Sequence, residues 1–171
     1  MRSVLYRPIT ALVAAFLAAA TAASAAPLST PAGEAILTVS GDILNTNDGK
    51  VAKFDREMLE AIGTMKMRTM TPWYEEAVEF EGVSMRALMD YVGAAGDEVT
   101  ATALNDYQST IPLSDFNEFD VILALKRDGK YMPIRDKGPL FIVYPYDSDP
   151  DLNTDKYYSR SVWQVKELTV K

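Results

Sequence analysis

Apolar and polar side chains alternate along this chain in short bursts, the period of half-buried strands. Residues 35–40 set Leu37 and Val39 against Ile36, Thr38 and Ser40. Over Thr64–Thr71, Met65, Met67 and Thr69 alternate with Lys66, Arg68 and Met70. Residues 79–83 form a short extended piece. Residues 98–104 and 108–113 alternate again, rich in β-branched side chains and separated by the polar break Asn105-Asp106-Tyr107. Residues 121–126 and 130–134 predict a hairpin through Arg127-Asp128-Gly129, since Asp-Gly supplies the backbone twist such turns need. A last strand is expected over 161–170, with Trp163 facing the core beside Val165, Leu168 and Val170.

Two segments carry helix punctuation instead. Asp55 is placed to cap a helix over Arg56–Ile62, with Gly63 just past its end. Ser84 does the same for Met85–Val92, closed by Gly93, with Leu88, Tyr91 and Val92 turned inward. Residues 114–120 suggest one further helical turn. With roughly seven or eight strands and two or three short helices, the expected fold is α+β, a single mixed-sheet domain. No internal repeat or low-complexity block interrupts it.

The stretch Arg135-Asp136-Lys137-Gly138-Pro139-Leu140-Phe141-Ile142-Val143-Tyr144-Pro145 runs from a charged turn into a nearly unbroken apolar segment. Such a segment predicts a strand buried on both faces, and therefore a rigidly held loop before it. That loop offers Arg135 and Lys137 as fixed cationic donors beside Gly138, where backbone approaches a ligand closely.

Residues 1–25 read as a secretory signal. Arg2 and Arg7 precede a short alanine-rich apolar run, and Ala23-Ser24-Ala25 fits the cleavage pattern. Residues 26–34 would then be a loose arm and 35–171 the exported domain, placed in the periplasm. Loss of the two arginines takes the formal charge from −7 to −9, which disfavours nucleic acid and anionic lipid surfaces. The chain has no cysteine and no histidine. No disulfide can staple it, no thiolate can act as nucleophile or soft-metal ligand, and the commonest general base is missing. The eight methionines are read as adaptable packing rather than a copper site. The acidic run 147–155 is read as a solvated loop, because it lacks the mid-loop glycine and terminal glutamate of a Ca²⁺ loop.

Taken in order, Phe80-Glu81-Gly82-Val83-Ser84, Ala103-Leu104-Asn105-Asp106-Tyr107, Ile111-Pro112-Leu113, Asp128-Gly129-Lys130, Lys137-Gly138-Pro139-Leu140, Val143-Tyr144-Pro145 and Trp163-Gln164-Val165-Lys166 resemble the molybdopterin-binding domain of sulfite-oxidase-type oxidoreductases. Ala103-Leu104-Asn105-Asp106-Tyr107 matches that family's Asp-Gly-Tyr piece. The resemblance implies a molybdenum held by a cysteine thiolate, which this chain lacks. It is more similar to small exported members that bind a free reduced pterin without molybdenum. Those members imply a sensor that engages the periplasmic part of a membrane cyclic-di-GMP enzyme, a diguanylate cyclase or phosphodiesterase. A divergent molybdopterin-dependent oxidoreductase and a ligand-independent periplasmic adaptor are the competing readings.

A pterin asks for a stacking surface, a carboxylate for its amino edge, and donors for its carbonyl and ring nitrogens. The expected stacking residue is Trp73 and the expected carboxylate Asp106. Arg135, Lys137 and Arg160 are the donor candidates, with Gly138 at the close approach and Tyr107 and Tyr144 lining the pocket. No catalytic or metal-ligating residue is expected.

Overall fold

The computed structural model describes residues 28–171. The expected signal segment, 1–25, lies outside the described residues.

Among the described residues, ten strands form two sheets. The first contains β1 (Leu37–Gly41), β2 (Ala52–Phe54), β5 (Glu98–Ala103), β6 (Gln108–Pro112) and β10 (Val165–Val170), in the order β2-β1-β10-β5-β6. Only β1 and β10 pair in parallel, Val39 opposite Leu168, so the chain's first and last strands lie side by side. The second sheet is antiparallel: β3 (Thr64–Thr71), β4 (Tyr74–Ser84), β7 (Ile122–Arg127) and β8 (Lys130–Tyr131) in order, with β9 (Phe141–Val143) paired to β7 beside β8. Both sheets and the helices α1 (Arg56–Ile62) and α2 (Met85–Val92) contribute to one apolar core, including Leu37, Phe54, Leu59, Phe80, Leu88, Ile122, Phe141 and Leu168. The segment from Leu140 to Tyr144 is fully buried, as its unbroken apolar character predicts.

Local chemistry sets both helix starts. Asp55 accepts the Met58 N–H at 2.9 Å, and Ser84 accepts that of Ala87 at 3.4 Å. Gly93 ends α2 in the left-handed conformation. Burying Met85, Leu88, Met89 and Val92 contributes roughly 6–10 kcal/mol of gross stabilisation to docking α2. Asp55 also receives the N–H groups of Ala32 and Gly33, both at 2.8 Å. The described part of the N-terminal arm is therefore tied down rather than loose.

Several expectations are corrected. The extended piece at 79–83 is the end of an eleven-residue strand, Tyr74–Ser84, which pairs along β3 from Thr64–Val83 to Thr71–Tyr74. The second arm of the Asp-Gly hairpin is only two residues long, and a 3-10 turn at Ile134–Asp136 replaces its continuation. The 147–155 region holds a 3-10 turn at Pro150–Leu152, anchored by buried Leu152, before helix α4 (Asp155–Arg160). The last strand starts at Val165, not 161. Gln164 has φ 54°, its N–H donates to Lys137 O, and its carbonyl accepts the Leu104 N–H. That left-handed residue breaks the alternation and turns Trp163 out of the core to 37% exposure.

Candidate functional site

The β3–β4 hairpin turns at Pro72-Trp73, and the tight turn thrusts an indole into an aromatic cluster. Trp73 meets Phe141, Trp163, Tyr158 and Tyr146 edge to face, at centroid separations of 5.4, 5.6, 6.1 and 6.2 Å. Edge-to-face pairs of this kind add about 0.5–1.5 kcal/mol each beyond burial, so the indole is held from several sides.

A cavity of about 330 Å³ opens beside it, in the size range of small-molecule sites. Three separate segments line it: Trp73 from the hairpin; Ala103 at the end of β5 with Asn105 and Tyr107 from the connection to β6; and Tyr158, Ser161, Val162 and Trp163 from α4 and the chain after it. Two indoles and two phenols thus wall a space suited to a flat ring.

The cavity's hydroxyl protons are already committed. Tyr107 OH donates to Ser159 O at 3.1 Å, spanning from the β5–β6 connection to α4. Tyr158 OH donates to Asn153 Oδ1. Ser161 Oγ donates to Tyr157 O at 2.8 Å, so the neighbouring Tyr146 hydroxyl donates to Ser161. What these oxygens offer a ligand is lone pairs. Asn105 differs: its Oδ1 accepts the Tyr107 N–H at 3.2 Å, and its Nδ2 makes no hydrogen bond among the described residues.

The eight lining residues include no aspartate, glutamate, lysine or arginine. The nearest cation to the indoles is Lys137, whose ammonium stands 4.4 Å from the Trp163 ring centre and 5.7 Å from that of Trp73. Burial pushes this ammonium below the usual lysine pKa, and it makes no ion pair among the described residues. Its partners are aromatic faces.

The structure brings together only part of the sequence-predicted constellation. Trp73 and Tyr107 line the cavity, and Lys137 stands against its indoles. Asp106 does not join them. It takes the left-handed turn position at φ 64°, and its side chain, 82% exposed, pairs with Lys166 at 2.6 Å. The stretch resembles the family's Asp-Gly-Tyr piece, and a glycine in such a piece suits a positive-φ site of this kind. Arg135 is exposed on the 3-10 turn and makes no side-chain hydrogen bond or ion pair among the described residues. Gly138 is buried for packing rather than ligand approach: a Cβ there would lie 1.9 Å from Met132 O.

Arg160 and Tyr144 serve a different centre. Arg160 Nη1 and Tyr144 OH both donate to Asp115 Oδ2 at 2.7 Å, joining α4 and the buried chain after β9 to helix α3 (Ser114–Glu118). Tyr144 is fully buried, and burial raises its pKa, with the Asp115 carboxylate adding to the rise. This centre braces α4, whose Tyr158 reaches the cavity while Arg160 is pinned to α3.

Sequence reasoning missed Ala103, Asn105, Tyr158, Ser161, Val162 and Trp163 as lining residues. For Asn105 a signal existed, since it belongs to the stretch that resembles the Asp-Gly-Tyr piece.

Fold and cavity define the class: a two-sheet α+β domain with an aromatic-walled cleft of ligand size. Residues 56–147, more than half of the chain, match the oxidoreductase molybdopterin binding domain, and the chain belongs to that family. No curated protein matches the sequence. The match takes in Trp73, Ala103, Asn105 and Tyr107, whereas the wall from Tyr158 to Trp163 lies beyond it.

The donor set separates metal from ring. The resemblance implies a thiolate for molybdenum, and the chain has neither cysteine nor histidine. Among the described residues no three carboxylates converge. Hydroxyls and isolated carboxylates do not replace a soft thiolate. The aromatic walls do fit a flat organic ring.

Proposed function

We propose that this chain is a non-catalytic, molybdenum-free pterin-binding protein of the periplasm, with a reduced pterin held in the cavity that Trp73 and Trp163 help to line. The observation that carries the reading is a neutral cavity of about 330 Å³ walled by indoles and phenols, in a family member without a thiolate. A flat, polar-edged ring gains stacking from such walls and is oriented by a few polar atoms at their margins. By resemblance, the liganded protein acts as a sensor that engages the periplasmic part of a membrane cyclic-di-GMP enzyme.

The test is to purify the exported chain and examine released small molecules by fluorescence and mass spectrometry, then titrate the emptied protein with reduced pterins. Trp73→Ala is expected to weaken binding about tenfold or more, from lost stacking and burial together. Absence of any released pterin together with no binding on titration overturns the ligand. Stoichiometric molybdenum in the purified protein overturns the metal-free part. A pull-down against the partner's periplasmic domain, with and without pterin, tests the sensor role: capture indifferent to pterin sinks it.

A further inference from the structure

We infer that Asn105 is a specificity-determining residue of the cavity and selects ligands that present a carbonyl oxygen, disfavouring analogues that present an amino group in its place. The inference rests on the pterin reading and deepens it. Among the described residues, exposed Asn105 supplies the one lining amide whose N–H donors have no partner in the protein, beside the equally unpartnered indole N–H groups of Trp73 and Trp163. Its orientation is fixed. Oδ1 accepts the Tyr107 N–H at 3.2 Å across a turn whose middle residue, Asp106, is left-handed. The Tyr107 ring is tethered in turn through its hydroxyl to Ser159 O.

An amide held by its oxygen offers its nitrogen, and a nitrogen donor matches an acceptor. The strongest acceptor on an amino-oxo pteridine is its carbonyl oxygen. No carboxylate lines the cavity to receive an amidine-like edge, and Asp106, the nearest in sequence, is engaged by Lys166. The unpaired Lys137 ammonium against the indoles also disfavours a cationic ring. Donor, missing carboxylate and nearby positive charge agree on one choice, an oxo heterocycle that is neutral or anionic.

Three probes that share one ring system test this: pterin; lumazine, in which a second carbonyl replaces the amino group; and diaminopteridine, in which a second amino group replaces the carbonyl. Both Trp73 and Trp163 line the cavity, so quenching of tryptophan emission reads occupancy. Wild type is expected to bind pterin and lumazine within about threefold of each other, and diaminopteridine roughly tenfold more weakly. Asn105→Asp keeps an oxygen for the Tyr107 N–H, so the turn persists, but it replaces the donor with a carboxylate. The preference is then expected to reverse. Asp106→Asn, the control, is expected to change none of the three affinities by more than about twofold, as an exposed pair contributes little.

Equal binding of diaminopteridine and pterin to wild type, or an unaltered ratio in Asn105→Asp, overturns the role of Asn105 and leaves pterin binding standing. Failure of wild type to bind any of the three overturns the pterin reading, and this assignment falls with it.

Discussion

Removing the Asp115 carboxylate should loosen the molecule at the joint that holds the cavity's far wall. Asp115 is 5% exposed and accepts two hydrogen bonds at one oxygen, from Arg160 and Tyr144, each 2.7 Å long. In Asp115→Ala the Arg160 guanidinium loses its only ion-pair partner among the described residues, and a fully buried phenol loses its acceptor. Breaking a buried ion pair from one side costs about 3–5 kcal/mol. Arg160 keeps some access to water, with its side chain 17% exposed, which brings its share to the lower end. The orphaned Tyr144 hydroxyl adds about 1–3 kcal/mol. A total near 4 kcal/mol corresponds to a fall in Tm of about 10 °C for a domain of this size. Urea denaturation of wild type, Asp115→Ala, Tyr144→Phe and the double variant separates the terms. Tyr144→Phe alone should cost about 1 kcal/mol, and in the double variant the loss should be smaller than the sum of the singles, because no phenol is left stranded. An Asp115→Ala loss below 1 kcal/mol, or strict additivity, would refute the reasoning. The same series checks the reassignment of Arg160: Arg160→Lys should shift stability while pterin affinity stays within about threefold.

Two further outcomes follow from local geometry. Three backbone N–H groups, of Gly33, Met58 and Ala32, hold the Asp55 carboxyl below its ordinary pKa, and a depressed pKa means a contribution present at neutral pH and lost as pH falls through the folded value. Wild type should therefore exceed Asp55→Asn by about 1–2 kcal/mol at pH 7, the gap closing below about pH 4; a pH-independent gap in urea midpoints counts against the bonds. Gly82 faces Ala124 across the β4–β7 bulge, and a Cβ there would lie 2.1 Å from Leu123 O, so Gly82→Ala should cost about 3 kcal/mol or more. A denaturation midpoint within 0.3 M of wild type, at unchanged slope, would show that the strands can part, contrary to this packing; roughly 1 kcal/mol per 0.3–1 M is the scale expected.

What the sequence made legible follows the range of the interactions involved. Asp55, Gly63, Ser84 and Gly93 act within one turn of backbone, and α1 and α2 begin and end where those residues place them. The buried strand after Gly138 was legible for a similar reason: a continuous apolar run has few alternatives. The short strand β2 and the short helix α4 were not, because three residues after a turn cluster and six after an acidic run carry too little periodicity. The cavity belongs to a longer range still. Its walls meet from positions 73, 103–107 and 158–163, and that meeting depends on β10 lying between β1 and β5. Trp163 shows how one backbone angle changes a role. By alternation it is a core residue, yet Gln164 at φ 54° spends its N–H on Lys137 and its carbonyl on Leu104, its amide reaches Ile134 O at 2.7 Å, and the indole is left on the cavity side of the break. Asp106 and Asn105 exchange places by the same logic. Either side chain suits a polar turn, and what divides them is which residue must take positive φ; the one that does points its carboxylate to Lys166, and its neighbour keeps an amide for the cavity. Residue chemistry narrowed the candidates to a loop that borders the cavity, and backbone handedness decided which of its adjacent members faces that cavity.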